Sequence, residues 1–141
     1  AIVDSRDEMR LRVREQLLQG ASQIKLVAGG GVSSPRSPLD IVSLSEEEMR
    51  TAVETAADWN TFVAIHAFTP ATIRRAVDAG VRCIEHGFMM DDDTAALLAD
   101  RDIWLSIQPV SPGSLKCCSS SVSEASLLTN LTKRRKTIGW R

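Results

Sequence analysis

The two histidines of this chain occupy equivalent places in two consecutive sequence units. His66 ends the apolar run FVAIHA, His86 ends the run VRCIEHG just before its glycine, and a short amphipathic segment lies between them. Parallel strands place their carboxyl ends at one edge of a sheet, so the two imidazoles can converge there. This requires His66 to share a face with Ala64, and we expect His86 likewise to share a face with Ile84. Neutral imidazole is a good ligand for zinc and other divalent metals near pH 7. A strand-end histidine is equally typical of a hydrogen-bonded structural residue, so spacing alone leaves both interpretations open.

Lys25 is the third residue that could take part in such chemistry. It lies in SQIKLVA, residues 22–28, which we expect to form a short buried strand. A buried ammonium is costly unless it is paired, so this lysine should form an ion pair, lose its proton or become modified. A neutral amine can react with carbon dioxide to give a carbamate, whose oxygens can bind metal. The alternative is an ion pair with Glu85 or Asp91.

A glycine-rich stretch, GGGVSSPRSP, follows that strand. Its composition is typical of a loop that wraps a ligand or simply connects two elements. It is not a phosphate-binding Walker A sequence, because no Gly-Lys-Ser/Thr follows, and three glycines alone are weak evidence for phosphate binding. If the loop does wrap a ligand, Gly30 and Gly31 are the candidate substrate-binding residues.

The elements that must position these residues alternate along the chain. Capping signals and apolar spacing predict helices at about 6–19, 46–58 and 70–79 and a fourth beginning at 91–93. Strands are predicted at 22–28, 62–67, 81–87 and 103–107. This alternation predicts an α/β fold in which parallel strands are joined by helical crossovers.

Composition narrows the classes of partner. The chain has 141 residues, is 43% hydrophobic and carries a net charge of -1, which is typical of a globular domain and gives no bulk attraction to nucleic acid or an anionic membrane. We therefore expect a small-molecule substrate. The N-terminal residues lack the order of a signal peptide, and the three cysteines form neither a disulfide framework nor a CxxC pattern, so a cytoplasmic location is expected.

The sequence changes character after about Pro109. Residues 110–141 are serine-rich and end with a basic run, so we expect residues 1–109 to form the structured domain and the rest a loosely ordered tail. The chain also lacks an initiating methionine, which favours a piece of something longer.

Three stretches resemble the middle of an amidohydrolase-superfamily barrel, over about residues 4–109. They are IKLVAGGGVSSP, VAIHAFTPATIRRAVDAGVRCIEHG and DDDTAALLADRDIWLSIQP. The nearest branch is that of imidazolonepropionase-like and Xaa-Pro dipeptidase-like enzymes. This resemblance implies a partial TIM-type β/α barrel, about strands four to seven with their helices.

The resemblance also implies a site. Its metal ligands would be Lys25, often carbamylated at that position in the family, together with His66 and His86, around one or two divalent ions such as zinc. The implied reaction is hydrolysis of an amide or other C-N bond of a small substrate, such as a dipeptide, by metal-activated water. Phe68 stands where related enzymes often carry a tyrosine and is a third substrate-binding candidate.

The chain departs from the family pattern in two ways. The His-x-His pair of the first strand and the aspartate of the eighth strand have no counterpart here, so no catalytic proton acceptor can be assigned. We therefore hold two hypotheses. The chain is a fragment of a metal-dependent amidohydrolase, or it is an inactive half-barrel that serves as a structural module and associates with a second copy through its open sheet edges.

Overall fold

Helices and strands alternate in the computed structural model, which describes residues 2–31 and 36–107. The helices are α1 (Arg6–Leu18), α2 (Glu46–Ala57), α3 (Pro70–Asp78) and α4 (Asp92–Asp100). The strands are β1 (Ile24–Val27), β2 (Val63–Ala67), β3 (Cys83–His86) and β4 (Trp104–Ser106). The predicted order of eight elements is confirmed, and the observed strands are shorter than predicted by one or more residues.

The four strands form one parallel sheet in the order β1-β2-β3-β4. Ile24, Ile65 and Ile84 lie on the face that packs against the helices, and all three belong to the main apolar core. Alternation along the strands places a second set of side chains on the opposite, inner face. That set comprises Lys25, Val27, Ala64, His66, Cys83, Glu85, Trp104 and Ser106.

The inner face is exposed at its two edge strands, β1 and β4, in the described part of the chain. Val27 is 60% exposed and Trp104 is 67% exposed, although both belong to strands. The expectation that residues 22–28 form a buried strand is therefore wrong for this face. Only the side of β1 that carries Ile24 is buried, because the helices cover one side of the sheet.

Each helix begins with a side chain that caps a free backbone N–H. Ser45 and Glu48 form the predicted capping box at α2, with Ser45 Oγ accepting from the backbone N–H of Glu48 at 3.2 Å. The predicted cap at Thr69, followed by Pro70 in the first turn of α3, is also confirmed.

Each helix ends in a left-handed residue. The amide after that residue bonds back to a carbonyl five positions earlier, which is the Schellman arrangement. The four left-handed residues are Gly20, Asn60, Gly80 and Asp102, with φ between 55° and 94°. These turns release the chain at a fixed angle into the following strand.

The predicted tail at residues 110–141 lies outside the described residues. Within the described ranges, no helix has the length and apolar character needed to cross a bilayer.

Removing the α2 cap should measurably destabilise the fold. We expect Ser45→Ala to lower the free energy of unfolding by about 1 kcal/mol, because the backbone N–H of Glu48 loses its acceptor. Urea unfolding followed by circular dichroism measures the change. Ser22→Ala, on the exposed turn before β1, is the control and should alter stability by less than about 0.5 kcal/mol. Equal stabilities for the two variants would contradict this capping role.

Candidate functional site

His66 is fixed in orientation by a hydrogen bond to the loop that follows β1. Its Nε2 lies 2.7 Å from the carbonyl oxygen of Gly30. A carbonyl can only accept, so Nε2 donates this hydrogen bond, and in a neutral ring Nδ1 is then the nitrogen with the lone pair. This bond ties the loop to β2 and leaves one ring nitrogen of His66 able to bind a cation.

The imidazole of His86 lies beside that of His66, but the sheet register alone would not place it there. In the register of the sheet, His66 lies opposite Glu85, and His86 lies opposite Ala67. Regular alternation would therefore send the His86 side chain towards the helices, on the face of Ile84. The expectation that Ile84 and His86 share a face is wrong in this structure, because the imidazole of His86 lies with that of His66 instead.

The change of direction comes from the backbone of His86. Its φ is 76°, and in the described residues it is the non-glycine residue with positive φ that does not lie at a helix end. Such a conformation is costly for a residue with a Cβ and is found preferentially at functional sites. It brings the two imidazole centroids to 4.5 Å, with the ring planes at 71°. The predicted convergence of the histidines is thus present.

The turn after His86 is held in place by the end of β2. Gly87 has a φ of 66°, and its N–H donates to the carbonyl of Ala67 at 3.0 Å. The N–H of Met89 donates to the carbonyl of Phe68 at 3.1 Å. A Cβ on Gly87 would lie 3.0 Å from a methyl carbon of Leu105, so both conformation and space favour glycine here.

The surroundings of His86 favour its neutral form. Partial burial lowers the pKa of His86 below its ordinary value of 6.5, and the neighbouring His66 and Lys25 lower it further, against the opposing effect of Glu85. A neutral imidazole has a lone pair to offer, which is the form that metal binding requires.

Lys25 forms an ion pair with Glu85 across the inner face of the sheet. The lysine side chain is 44% exposed and that of Glu85 is 15% exposed. The sequence left open whether Lys25 would be modified or would form an ion pair with Glu85 or Asp91. The structure shows the ion pair, and Glu85 is the partner. Asp91 is engaged elsewhere, with Arg74 and with the first turn of α4. The carbamate of Lys25 stays a prediction.

The three candidate substrate-binding residues contact the protein itself. The carbonyl of Gly30 accepts from His66, and the N–H of Gly31 donates to the carbonyl of Ser37 at 3.2 Å. Phe68 is 4% exposed and lies against both imidazole rings. Their contact with substrate stays a prediction.

Sequence reasoning missed two parts of this site. One is the role of the Gly30 carbonyl as the acceptor for His66, which no residue type can signal because every residue has a carbonyl. The other is Phe88, whose ring lies 5.8 Å from Phe68 and 5.9 Å from His86. Its place directly after the IEHG motif was the available signal.

The donor set fits a divalent cation in part. His66 and His86 offer two nitrogen donors, His66 through the ring nitrogen that is not bonded to Gly30, and the lowered pKa of His86 favours its neutral form. Within residues 2–31 and 36–107, no three His, Cys, Asp or Glu side chains group closely enough to hold a metal. A complete site therefore needs a further ligand, from a modified Lys25 or from outside these residues.

Comparison with known proteins gives a consistent result. A model of the amidohydrolase family matches residues 1–137. The curated ochratoxinase of Aspergillus niger is 35% identical over 102 residues. Two solved structures are an amidohydrolase, at 40% identity and TM-score 0.77, and a prolidase complexed with N-methylphosphonate-L-proline, at 36% identity and TM-score 0.76.

The coverage of these matches is unequal. The ochratoxinase match covers 72% of this chain and 21% of that protein. The amidohydrolase and prolidase matches cover 94% and 95% of this chain, and 32% and 33% of theirs. The α/β fold predicted as part of a TIM-type barrel is confirmed by these superpositions. The family match runs past residue 109, and the domain boundary proposed there stays a prediction.

Adjacent glycines offer a matched test of the His66 hydrogen bond. A Cβ on Gly30 would lie 1.7 Å from the carbonyl oxygen of Pro38, whereas a Cβ on Gly29 would make ordinary contacts at 3.7 Å or more. We expect Gly30→Ala to displace the loop and shift the ring resonances of His66 in NMR spectra, and Gly29→Ala to leave them close to wild type. Unchanged His66 resonances in Gly30→Ala would contradict the assigned contact.

The pKa of His86 can be measured directly by NMR titration. We expect its midpoint below 6.5, and we expect it to rise in His66→Gln because the electrostatic effect of His66, which lowers the pKa of His86, is removed. The unfolded chain binds this proton more readily than the folded one, so the free energy of unfolding should fall as pH drops from about 6.5 through the folded pKa. A wild-type midpoint at or above 6.5 would refute the expected shift.

Proposed function

The chain belongs to the amidohydrolase family, and from that premise we propose that it is part of a metal-dependent hydrolase acting on an amide or other C-N bond of a small substrate. The observation that carries the proposal is the meeting of the His66 and His86 imidazoles, 4.5 Å apart, at the carboxyl ends of adjacent parallel strands. In β/α folds this edge is where catalytic groups gather.

His66 and His86 would hold the metal. His66 would bind through Nδ1, because its Nε2 donates to Gly30, and His86 would bind as the neutral imidazole favoured by its lowered pKa. A divalent cation such as zinc, as one or two ions, would supply Lewis acidity towards a substrate carbonyl and towards water. The two histidines bring to this chemistry a fixed pair of nitrogen donors on a rigid sheet edge.

Lys25 would be the third ligand, as its carbamate. It lies on the same inner face as His66, since Lys25 is opposite Ala64 in the register and Ala64 shares a face with His66. Its exposure leaves the amine open to carbon dioxide. The ion pair with Glu85 opposes this modification, because it stabilises the ammonium form, which does not react.

The relatives support a dipeptide-like substrate. The prolidase that resembles this chain was crystallised with N-methylphosphonate-L-proline, a ligand with tetrahedral phosphorus where a dipeptide has a planar carbonyl carbon. A second solved relative, at 32% identity and TM-score 0.69, is a Xaa-Pro dipeptidase with bound methionine in its active site. We therefore propose hydrolysis of an Xaa-Pro dipeptide or a similar small amide.

A second function is favoured by the open inner face. Val27 and Trp104 are largely exposed on it, and the outer edges of β1 and β4 have no strand partner among the described residues. A chain that used these edges to bind a second copy would be a structural module. Two measurements on the zinc-loaded chain separate these functions, the turnover of Xaa-Pro dipeptides and the dependence of oligomeric state on concentration. Turnover supports the hydrolase, and concentration-dependent dimers without turnover support the module.

The metal ligands can be tested by titration. We expect the chain to bind zinc weakly, and we expect binding to be lost in the His66→Ala, His86→Ala double variant because both nitrogen donors are removed. Isothermal titration calorimetry measures both. Asp7→Ala, which removes an exposed carboxylate from α1, is the control and should bind zinc as wild type does. Equal heats of zinc binding in the double variant and wild type would rule out this site.

A further inference from the structure

Phe68 lies at the centre of a group of four rings. The group, called here the aromatic cluster, consists of His66, Phe68, His86 and Phe88. Phe68 directly follows β2 and is 4% exposed, so almost none of its surface can meet a ligand from solvent. The buried ring of Phe68 lies beside both candidate metal ligands, so its contacts are with their imidazoles rather than with solvent.

The phenyl ring contacts the two imidazoles in different ways. It meets His66 edge to face, with centroids 4.8 Å apart and ring planes at 89°. It stacks on His86, with centroids 5.2 Å apart and ring planes at 20°. Both geometries are favourable for aromatic pairs. One side chain therefore contacts both imidazoles at once.

This matters because an imidazole has a soft torsion between its ring and its Cβ. The lone pairs lie in the ring plane, so rotation about that bond moves them away from a shared point. The ring of His66 is also fixed by its hydrogen bond to Gly30. The ring of His86 projects from a backbone at φ 76°, and its broad face rests on Phe68.

The position of Phe68 is itself supported on two sides. Phe88 stacks on it with centroids 5.8 Å apart and ring planes at 29°. The backbone carbonyl of Phe68 accepts the N–H of Met89, which joins it to the turn that carries His86. The phenyl ring and the histidine turn are therefore joined both through side chains and through the backbone.

We propose that Phe68 is a positioning residue for the candidate metal centre: its ring sets the planes of His66 and His86 so that their free nitrogens converge on one divalent cation. This inference rests on the proposed function. It gives Phe68 a role other than the substrate contact predicted from the sequence, since it works through the histidines from a buried position.

Zinc titration of variants tests the role. We expect Phe68→Leu, which keeps an apolar side chain but removes the ring, to weaken zinc binding by roughly 10- to 100-fold, the usual cost of losing a group that orients metal ligands. Phe68→Tyr keeps the ring and should bind zinc close to wild type. Val13→Ala, in the α1 core away from the cluster, should lower stability without changing zinc affinity.

The metal-free chain gives a second, independent measurement. Stacking on Phe68 should shift the carbon-bound ring protons of His86 upfield, and nuclear Overhauser contacts should join Phe68 to both imidazoles in wild type. The upfield shift should disappear in Phe68→Leu and persist in Phe68→Tyr and Val13→Ala. Because the contacts are measured in wild type, their absence would refute the inference even if Phe68→Leu does not fold.

The outcomes separate this inference from the proposed function. Wild type that binds zinc no better than the His66→Ala, His86→Ala variant overturns the proposed function, and the positioning role with it. Zinc binding in Phe68→Leu equal to that of wild type, when the double histidine variant binds none, overturns only the role of Phe68. Wild-type spectra without contacts between Phe68 and the imidazoles overturn it as well.

Discussion

The left-handed backbone at His86 is the constraint on which the site depends. The sheet register places the two histidines one residue apart, so that a regular strand would hold their side chains on opposite faces. A single residue with φ of 76° cancels this offset. The conformation costs free energy, and it persists because Gly87 continues the turn and the carbonyls of Ala67 and Phe68 accept its amides.

The remaining contacts of the site stabilise the arrangement of the two imidazoles that this turn produces. The carbonyl of Gly30 fixes the proton of His66 on Nε2, the ring of Phe68 lies against both imidazoles, and partial burial keeps His86 neutral. The Lys25–Glu85 ion pair lies on the same inner face as His66. These contacts together hold two imidazole donors at one edge of the sheet, and they come from β1 and the loop after it, from the end of β2 and from β3.

Features that depend on contacts between residues close together in the chain could be predicted from the sequence. Ser45 with Glu48, Thr69 with Pro70, and Gly80 mark helix ends through contacts within a few residues, so their places could be predicted. The alternation of elements then implied parallel strands. The meeting of the histidines was also predicted, although on a wrong assumption about the face of His86.

The parts that could not be predicted depend on pairing between distant segments. The register of β2 with β3 is set by packing across the sheet, and the φ of His86 follows from bonds to the end of another strand. The exposure of Val27 could not be foreseen either, since apolar alternation does not reveal which face the helices cover. The sequence also could not show that Lys25 pairs with Glu85 and not with Asp91, because this contact joins segments that are distant along the chain.

The central claim is that His66 and His86 bind one cation together. X-ray absorption spectroscopy of the zinc-loaded chain tests it most directly, because imidazole rings give distinctive scattering from their outer atoms. The account predicts two imidazole nitrogens at about 2.0–2.1 Å from zinc. A zinc shell made of oxygen donors without imidazole scattering would contradict it.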